Sequence, residues 1–439
     1  MGGVARRGAV VAAALALGMV APPAHALDDF DYRAVPALGT AGTSLAVSST
    51  TPCPTPDGGG EFAGVRVTVI DATGNRAVGT ADFAATGDRN WSGSVTVSAE
   101  ARNGDHFVLA QCRYGSGDST TSIYLVPMRR FEVRSPAGRP DPALRVAGAH
   151  AIATAVAVSK DLHPDQGSAT AVVLSRVDSY VDALAGAPLA HQLSAPLLLT
   201  QQGALDPLTA GELRRVLAPG GDVHLLGGTG ALGAKVEAAV TALGFTVVRY
   251  AGANRYDTAV KVAAAVGRPG AVLFANGLDF REALVAGAAA PNSGGNGPGI
   301  VLLTNGRVLP PESRAYLSRI NGNTPRFAVG ALAAAAVPAA TPLVGRDPSE
   351  TSRKVADRFF VASHGVAIAP VGSFAEPLVG GVHAAANGMP LLLTPPGSLP
   401  ATLSSYLQLR KNRVAIAFVY GGTAGVSESV RTAVARTIS

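Results

Sequence analysis

The amino-acid sequence predicts an all-β sandwich followed by three tandem α/β units, each built on a parallel sheet. Two observations predict the α/β units. A set of landmark residues recurs three times after residue 143, and within each copy continuous apolar runs alternate with helical patterns. A third observation, alternation of polar and apolar residues before residue 134, predicts the sandwich. At 439 residues the chain is long enough to bury a core in each part.

The landmarks keep their order in all three copies. A glycine is followed six residues later by a threonine in the pairs Gly148 and Thr154, Gly252 and Thr258, and Gly345 and Thr351. An aromatic residue then stands two positions before a carboxylate in the pairs Tyr180 and Asp182, Phe280 and Glu282, and Phe374 and Glu376. Within each copy an apolar run then ends on Thr200, Thr304 or Thr394. We therefore expect repeats at 143–245, 246–340 and 341–439.

The second copy gives the clearest secondary-structure pattern. A helix is expected from Thr258, after Asp257 as its cap, and a buried strand over 271–275. Strands separated by helices require right-handed crossovers, which produce a parallel sheet. The landmark glycine leaves room for the chain to turn into the first helix, and the threonine hydroxyl can bond a free backbone group there.

Some recurring residues have both a structural and a functional interpretation. The aromatics at 180, 280 and 374 suit a core, or a surface that stacks on a ligand. The carboxylates that follow them suit the helix dipole, or contact with a ligand. The run Gly228-Thr-Gly-Ala-Leu-Gly233 matches a dinucleotide-binding pattern, but it recurs in weaker form in the other copies and has no acidic residue after the next strand. We interpret it as a strand-to-helix corner.

The composition of the chain excludes some classes of binding partner. The net charge is +6 and no basic stripe is interleaved with aromatics, which argues against a nucleic-acid partner. Residues 1–26 have the charged start, apolar stretch and small-residue end of a signal peptide, so we expect a secreted protein without a transmembrane segment. The sequence carries no Gly-x-Ser-x-Gly elbow and no paired-histidine metal motif. We expect neither catalytic residues, nor a metal, nor a cofactor.

The segment 27–134 is expected to form the sandwich, and 135–142, rich in Pro and Gly, a linker. Cys53 and Cys112 both lie in this segment, and export favours a disulfide between them. The run Phe107-Val-Leu-Ala-Gln-Cys112 resembles the final core strand of an immunoglobulin-like domain. Such a domain could serve as a spacer or offer a protein-binding face.

The landmarks together resemble the cell wall-binding repeat 2 family. The best match is Tyr250-Ala-Gly-Ala-Asn-Arg-Tyr-Asp-Thr-Ala-Val260, followed by Phe274-Ala-Asn-Gly-Leu-Asp-Phe-Arg-Glu-Ala-Leu284. The resemblance implies three Rossmann-like or Toprim-like units around an approximate threefold axis within a monomer. It also implies noncovalent attachment to an anionic secondary wall polymer or a peptidoglycan-linked glycan.

The family associates a Pro-Ile-Leu-Leu-type motif with attachment. We expect its residues here to shape the site from buried strands: Pro196, Leu198, Leu199, Leu302, Leu303, Pro390, Leu392 and Leu393. Direct polymer contacts are expected from Arg255, Arg281 and Arg346, because guanidinium groups pair with phosphate or carboxylate, and from Asn254 and Tyr256. The leading hypothesis is a non-enzymatic wall-associated protein that displays its sandwich. A targeting subunit or modifier of a wall hydrolase, or a surface adhesin, is the alternative.

Overall fold

The computed structural model describes residues 142–438 apart from 295–296, 362, 364, 412 and 415. It also describes residues 32–133 with gaps at 36–37, 40–41, 50–51, 54–61, 72–76, 85–87, 99–100, 102–103, 115–120 and 126–128. The predicted signal peptide and residues 135–141 of the predicted linker lie outside the described residues. The chain divides into two compact units, Met1–Pro142 and Ala143–Ser439.

The N-terminal unit consists of strands whose pairing is almost entirely antiparallel. One sheet has the order β1-β3-β6 and the other β2-β9-β7-β4-β5, with β8 also paired to β7. The bounds are β1 (Tyr32–Val35), β2 (Leu38–Gly39), β3 (Ser44–Ser49), β4 (Phe62–Asp71), β5 (Ala77–Phe83), β6 (Ser92–Thr96), β7 (Gly104–Tyr114), β8 (Thr121–Leu125) and β9 (Arg129–Val133). The region is therefore a β domain, as the alternating pattern predicts.

The core of this unit contains the predicted disulfide. Cys53 and Cys112 are bonded and their side chains are buried, at 1% and 0% exposure. Trp91 packs beside them in the same apolar cluster and stacks on Phe83 with ring centroids 5.8 Å apart. The disulfide prediction is confirmed.

The C-terminal unit contains three four-stranded parallel sheets. The first comprises β11 (Ala169–Arg176), β12 (Leu197–Thr200), β13 (Leu217–Leu226) and β14 (Thr246–Tyr250). The second comprises β15 (Ala271–Asn276), β16 (Gly299–Thr304), β17 (Arg326–Val329) and β18 (Thr341–Leu343). The third comprises β19 (Gly365–Pro370), β20 (Leu391–Thr394), β21 (Ile416–Tyr420) and β10 (Ala143–Val146). This confirms an α/β fold with three parallel-sheet repeats.

Helices connect the strands throughout this unit. Their bounds are α1 (Ala151–Leu162), α2 (Gly186–Gln192), α3 (Pro207–Val216), α4 (Ala234–Ala242), α5 (Arg255–Val266), α6 (Phe280–Ala289), α7 (Pro311–Leu317), α8 (Ala331–Ala336), α9 (Pro348–Phe359), α10 (Ala375–Ala386), α11 (Ala401–Arg410) and α12 (Glu428–Ile438). A single 3-10 turn, Ala290–Asn292, follows α6.

Each sheet takes its fourth strand from the start of the next sequence repeat. Strand β14 begins at Thr246, where the second sequence repeat begins, yet it pairs with β13 of the first sheet. Strand β18 completes the second sheet in the same way. The third sheet has no following repeat, and β10 from the start of the unit pairs with β21. The first strand of the unit therefore closes its last sheet.

The helices follow the same cyclic order. Helices α2, α6 and α10, one from each repeat, pack on one another. The first helix of each repeat packs on the central helix of the repeat before it: α5 on α2, α9 on α6, and α1 on α10. One apolar cluster extends through all three repeats, so they share a core, and the third sheet has a second cluster of its own.

The recurring glycine and threonine have the same role in every copy. The threonine hydroxyl accepts a hydrogen bond from the glycine N–H at 3.0 Å in the first and third copies and 3.1 Å in the second. A Cβ on Gly252 would lie 2.2 Å from the backbone nitrogen of Thr258. The helix start expected at Thr258 is wrong, because Asn254 caps the helix and α5 begins at Arg255. His150 and Asp347 cap α1 and α9 at the equivalent position.

Candidate functional site

The strand order creates one crevice per repeat. Each sheet has the order second, first, third, fourth strand, so the connections leaving the first and third strands run in opposite directions. In parallel sheets, ligands bind where adjacent connections diverge, beyond the carboxyl ends of the strands. The corresponding loops follow β11 and β13, β15 and β17, and β19 and β21.

A carboxylate lies against a glycine at each of these crevices. The glycines have φ of 96°, 88° and 87°, the left-handed region that side chains avoid. A Cβ on them would lie 2.7 Å from Oδ2 of Asp182, 2.5 Å from Cδ of Glu282 and 2.8 Å from Cγ of Glu376; the glycines are Gly227, Gly330 and Gly421. In the first repeat the acid lies against Gly227, directly before the run 228–233, and the segment is a strand-to-helix corner between β13 and α4.

Two of these carboxylates also accept hydrogen bonds from hydroxyl groups. Asp182 Oδ1 accepts a hydrogen bond from the Thr258 hydroxyl at 2.9 Å, which links the first repeat to the second. Glu376 accepts one from the Ser373 hydroxyl. Burial raises the pKa of Glu282, and the nearby Asp279 carboxylate adds to the shift. These contacts support a structural role for the three acids. Glu282 and Glu376 lie in the first turns of α6 and α10, but the helix-dipole interpretation is wrong for Asp182, because it lies in the turn before α2.

The three landmark aromatics meet one another. Tyr180 lies 5.4 Å from Phe280 and 5.7 Å from Phe374, and the two phenylalanines are 6.2 Å apart, measured between ring centroids. All three rings are half-buried. Mutual edge packing at these distances is favourable, so we interpret the rings as packing where the three repeats converge.

Two predicted contact residues of the second repeat converge on the loop after β15, and a third contacts helix α7. Arg255 donates a hydrogen bond to the carbonyl of Gly277, which directly follows β15. The ring of Tyr256 packs against the same glycine, since a Cβ there would lie 3.0 Å from Tyr256 Cε1. Asn254 caps α5 and its side-chain amide also donates to Glu312 at 2.8 Å.

Arg281 and Arg346 have carboxylate partners of their own. Arg281 pairs with Asp279, two residues before it. Arg346 is 86% exposed and pairs with Glu350 at 2.7 Å. In the repeat alignment Arg346 stands at the position of Ala253, not of Arg255. No contact among the described residues joins the three predicted arginines to one another.

The leucine motif lies on buried edge strands. Strands β12, β16 and β20 are covered by α1, α5 and α9 respectively. The named leucines are at most 1% exposed and both prolines are buried: Pro196, Leu198, Leu199, Leu302, Leu303, Pro390, Leu392 and Leu393. Side chains in these positions can support neighbouring loops but do not reach solvent.

Sequence reasoning missed Asn276 and the loop it holds. Asn276 is 3% exposed, and its Oδ1 accepts hydrogen bonds from the backbone N–H of Leu278 at 3.2 Å and of Gly306 at 3.1 Å. One amide therefore fixes the loops after β15 and β16 side by side. The available signal was the Asn-Gly pair after a buried strand, which reads only as a turn.

The described residues contain no group of three or more His, Cys, Asp or Glu side chains arranged to hold a metal ion. In that same part of the chain, every helix is too short or too polar to cross a membrane.

Solved structures share this fold. Cwp6 from Clostridium difficile aligns with a TM-score of 0.64 at 19% identity, over 94% of this chain and 68% of that chain. Cwp8 from the same organism aligns with a TM-score of 0.60 at 15% identity, over 98% of this chain and 97% of that chain. At these identities the similarity shows the fold alone.

Two Bacillus subtilis proteins are similar in sequence. The N-acetylmuramoyl-L-alanine amidase LytC is 28% identical over 256 residues, which is 57% of this chain and 50% of the relative. The amidase enhancer is 26% identical over 296 residues, which is 66% of this chain and 40% of the relative. The chain thus spans half or less of the length of these relatives.

A family model described as cell wall binding domain 2 matches residues 145–237, 249–339 and 343–431. The three matches together cover more than half of the chain, and each contains one glycine–threonine landmark and one carboxylate–glycine pair. The chain therefore belongs to the cell wall binding domain 2 family, with three tandem copies of the domain.

Proposed function

We propose that this chain is a secreted, non-enzymatic protein held noncovalently on an anionic wall polymer by its three repeats. The observation that carries the proposal is that the three family matches, from 145 to 431, occupy nearly the whole C-terminal unit. The N-terminal unit, which lies outside these matches, is then the part displayed from the wall. The localisation is the cell wall and cell surface.

Charge and repetition support a polymeric anion as the partner. Residues 27–439 carry 34 Lys and Arg against 30 Asp and Glu, and this net charge of +4 favours an anionic surface without requiring a concentrated basic patch. Three copies on one chain can contact a repeating polymer at several points, and the effective concentration of the later contacts makes weak individual contacts add up. The secondary wall polymer, or a glycan linked to peptidoglycan, has the required repetition and charge.

The finer structural assignments are part of the same proposal. The β domain is immunoglobulin-like, which is supported by its antiparallel sheets and its buried disulfide beside Trp91. The repeats are Rossmann-like or Toprim-like units around an approximate threefold axis, which is supported by the cyclic packing of α2, α6 and α10. Residues 1–26 direct export and are removed.

A pull-down on isolated walls tests the attachment. Residues 139–439 and residues 27–138 are compared on native walls and on walls stripped of secondary polymers. We expect the first fragment to bind only native walls and the second to bind neither. Retention of the first fragment on stripped walls would point to another receptor.

The relatives favour a second candidate, a targeting subunit or modifier of a wall hydrolase. One relative is an amidase and another is named an amidase enhancer. A zymogram on purified wall, with and without added amidase, separates the candidates. Faster clearing by the amidase in the presence of the protein favours the second candidate, and an unchanged gel favours anchoring. Clearing by the protein alone would contradict both candidates.

A further inference from the structure

One loop of the second repeat presents a cation that has no partner. Arg307 is exposed, and within the described part of the chain its side chain makes neither a hydrogen bond nor an ion pair. It lies three residues after Thr304, in the loop that follows β16. This loop lies at the carboxyl edge of the second sheet, beside the crevice described above.

Two exposed apolar side chains lie on the same pair of loops as this cation. Val308 is 60% exposed and Leu278 is 53% exposed, although both belong to residue types that are usually buried. The amide oxygen of Asn276 accepts from Leu278 N–H and from Gly306 N–H, so the two loops are held together by one buried side chain. Arg307 and Val308 directly follow Gly306 along the chain.

The other repeats do not have these features. The residues equivalent to Arg307 are Gly203 and Gly397, counted from the threonine that closes each apolar run. The residues equivalent to Asn276 are Arg176 and Pro370. Among the described residues, only the second repeat therefore has a buried amide and a free cation at these two positions.

The carboxylates near this site are already engaged. Asp279 is paired with Arg281, and Glu312 accepts from the amide of Asn254. Glu282 lies against Gly330 on the far side of the crevice. The free guanidinium of Arg307 is consequently the group that an incoming anion can pair with.

We propose that the loops after β15 and β16 form a subsite for one acidic sugar unit, with Arg307 pairing with the anionic group. A pyranose ring presents an apolar C–H face next to its charged substituent. Leu278 and Val308 cover that face while the guanidinium makes paired hydrogen bonds to phosphate or carboxylate. Asn276 is a positioning residue. This inference rests on the proposed function, and it assigns one of the anionic contacts to the second repeat.

Co-sedimentation of the full chain with isolated walls tests the subsite. Arg307→Gln is compared with Arg319→Gln as a matched control. Arg319 is also exposed, but it follows α7 and lies at the opposite edge of the sheet. We expect Arg307→Gln to weaken binding about tenfold, as for loss of one charge-assisted hydrogen bond, and Arg319→Gln to change it less than about twofold. The double change Leu278→Ser and Val308→Ser is expected to weaken binding about fivefold.

Two treatments of the walls identify the anion. Hydrofluoric acid removes phosphodiester-linked polymers, and carbodiimide amidation neutralises carboxylates. The treatment that abolishes the difference in wall binding between wild type and Arg307→Gln identifies the anionic group that Arg307 contacts. Wild-type binding that Arg307→Gln leaves unchanged would overturn the subsite while keeping the proposed function. Failure of the wild type to bind native walls would overturn both.

Discussion

His383 Nε2 lies 2.9 Å from Asp161 Oδ2, and this contact joins helix α10 of the third repeat to helix α1 of the first. Nδ1 of the same ring lies 2.6 Å from the Tyr420 hydroxyl at the end of β21. His383 and Tyr420 are buried, at 1% and 0% exposure. Because β10 also pairs with β21, the beginning and the end of the repeat unit are held together both by side chains and by backbone.

This closure predicts a large effect of removing the imidazole. We expect His383→Ala to lower the free energy of unfolding by about 3 kcal/mol, because it leaves the buried Tyr420 hydroxyl without its partner and creates a cavity. Lys160→Ala, at an exposed position of α1, is the control and should change it by less than about 0.5 kcal/mol. Urea denaturation of the full chain measures both. Equal midpoints for the two variants would rule out a stabilising role for the contact.

Because a carboxylate lies against each of these glycines, we expect replacement of the glycine by a larger residue to destabilise the fold. Gly330 has a φ of 88°, and a Cβ there would lie 2.5 Å from Glu282 Cδ. We expect Gly330→Ala to destabilise the fold by about 2 kcal/mol, from backbone strain and displacement of the glutamate. Gly322→Ala is the control, since nothing lies within 4 Å of its added Cβ. If thermal unfolding shows the same midpoint for both variants, the pair is not a packing constraint.

We expect the disulfide to contribute much of the stability of the N-terminal unit. Cys53 and Cys112 are separated by 59 residues, so the bond removes much of the conformational entropy of the unfolded chain. We expect the double change Cys53→Ser and Cys112→Ser to lower the stability of this unit by about 4 kcal/mol. Wild type treated with a reducing agent should show the same loss. A denaturation midpoint that neither change shifts would contradict this account.

Two glutamates predict opposite responses to pH. Burial raises the pKa of Glu282 above its model-compound value of 4.5, so the folded chain holds this proton more tightly than the unfolded chain does. The stability that this shift contributes is therefore fully present below 4.5 and is lost as the pH rises from 4.5 through the higher folded-state pKa, so the wild type loses stability relative to Glu282→Gln over that range. The measurement is chemical denaturation of both proteins between about pH 4 and 7.

Glu350 has the reverse dependence. Its hydrogen bonds with Arg346 lower its pKa to about 2. The stability that this pair contributes is present above 4.5, the value for the unfolded chain, and is lost as the pH falls toward 2. The wild type should therefore lose stability relative to Glu350→Gln on acidification, and added salt should weaken the effect because Arg346 is exposed. Parallel pH profiles for Glu282→Gln and Glu350→Gln would contradict both assignments.

The sequence predicts what is encoded locally. The six-residue spacing from Gly252 to Thr258 predicts a tight turn into a helix, and the structure shows the hydroxyl bonding the glycine N–H. The apolar runs that end at Thr304 and Thr394 predict buried parallel strands. Alternation in the N-terminal segment predicts strands with one buried face. Each of these features depends on neighbours along the chain.

Strand pairing and side-chain contacts between repeats could not be predicted from the spacing of residues along the chain. The spacing of landmarks gives no information about which sheet accepts a given strand, so the pairing of β10 with β21 was not foreseen. The sequence favours Asp182 as a residue in an early helical turn, whereas it lies in the turn before α2 and bonds Thr258 of the next repeat. The free cation at Arg307 depends on which carboxylates the fold brings near it, and linear spacing does not specify that.

The central claim is that the repeats hold this chain on an anionic wall polymer. The most direct test is sedimentation of the full mature chain with native walls at low ionic strength, repeated as salt is raised and with walls stripped of secondary polymer. We predict that the chain pellets with native walls, is released by salt, and remains in solution with stripped walls. A chain that remains in solution with native walls at low ionic strength would contradict the claim.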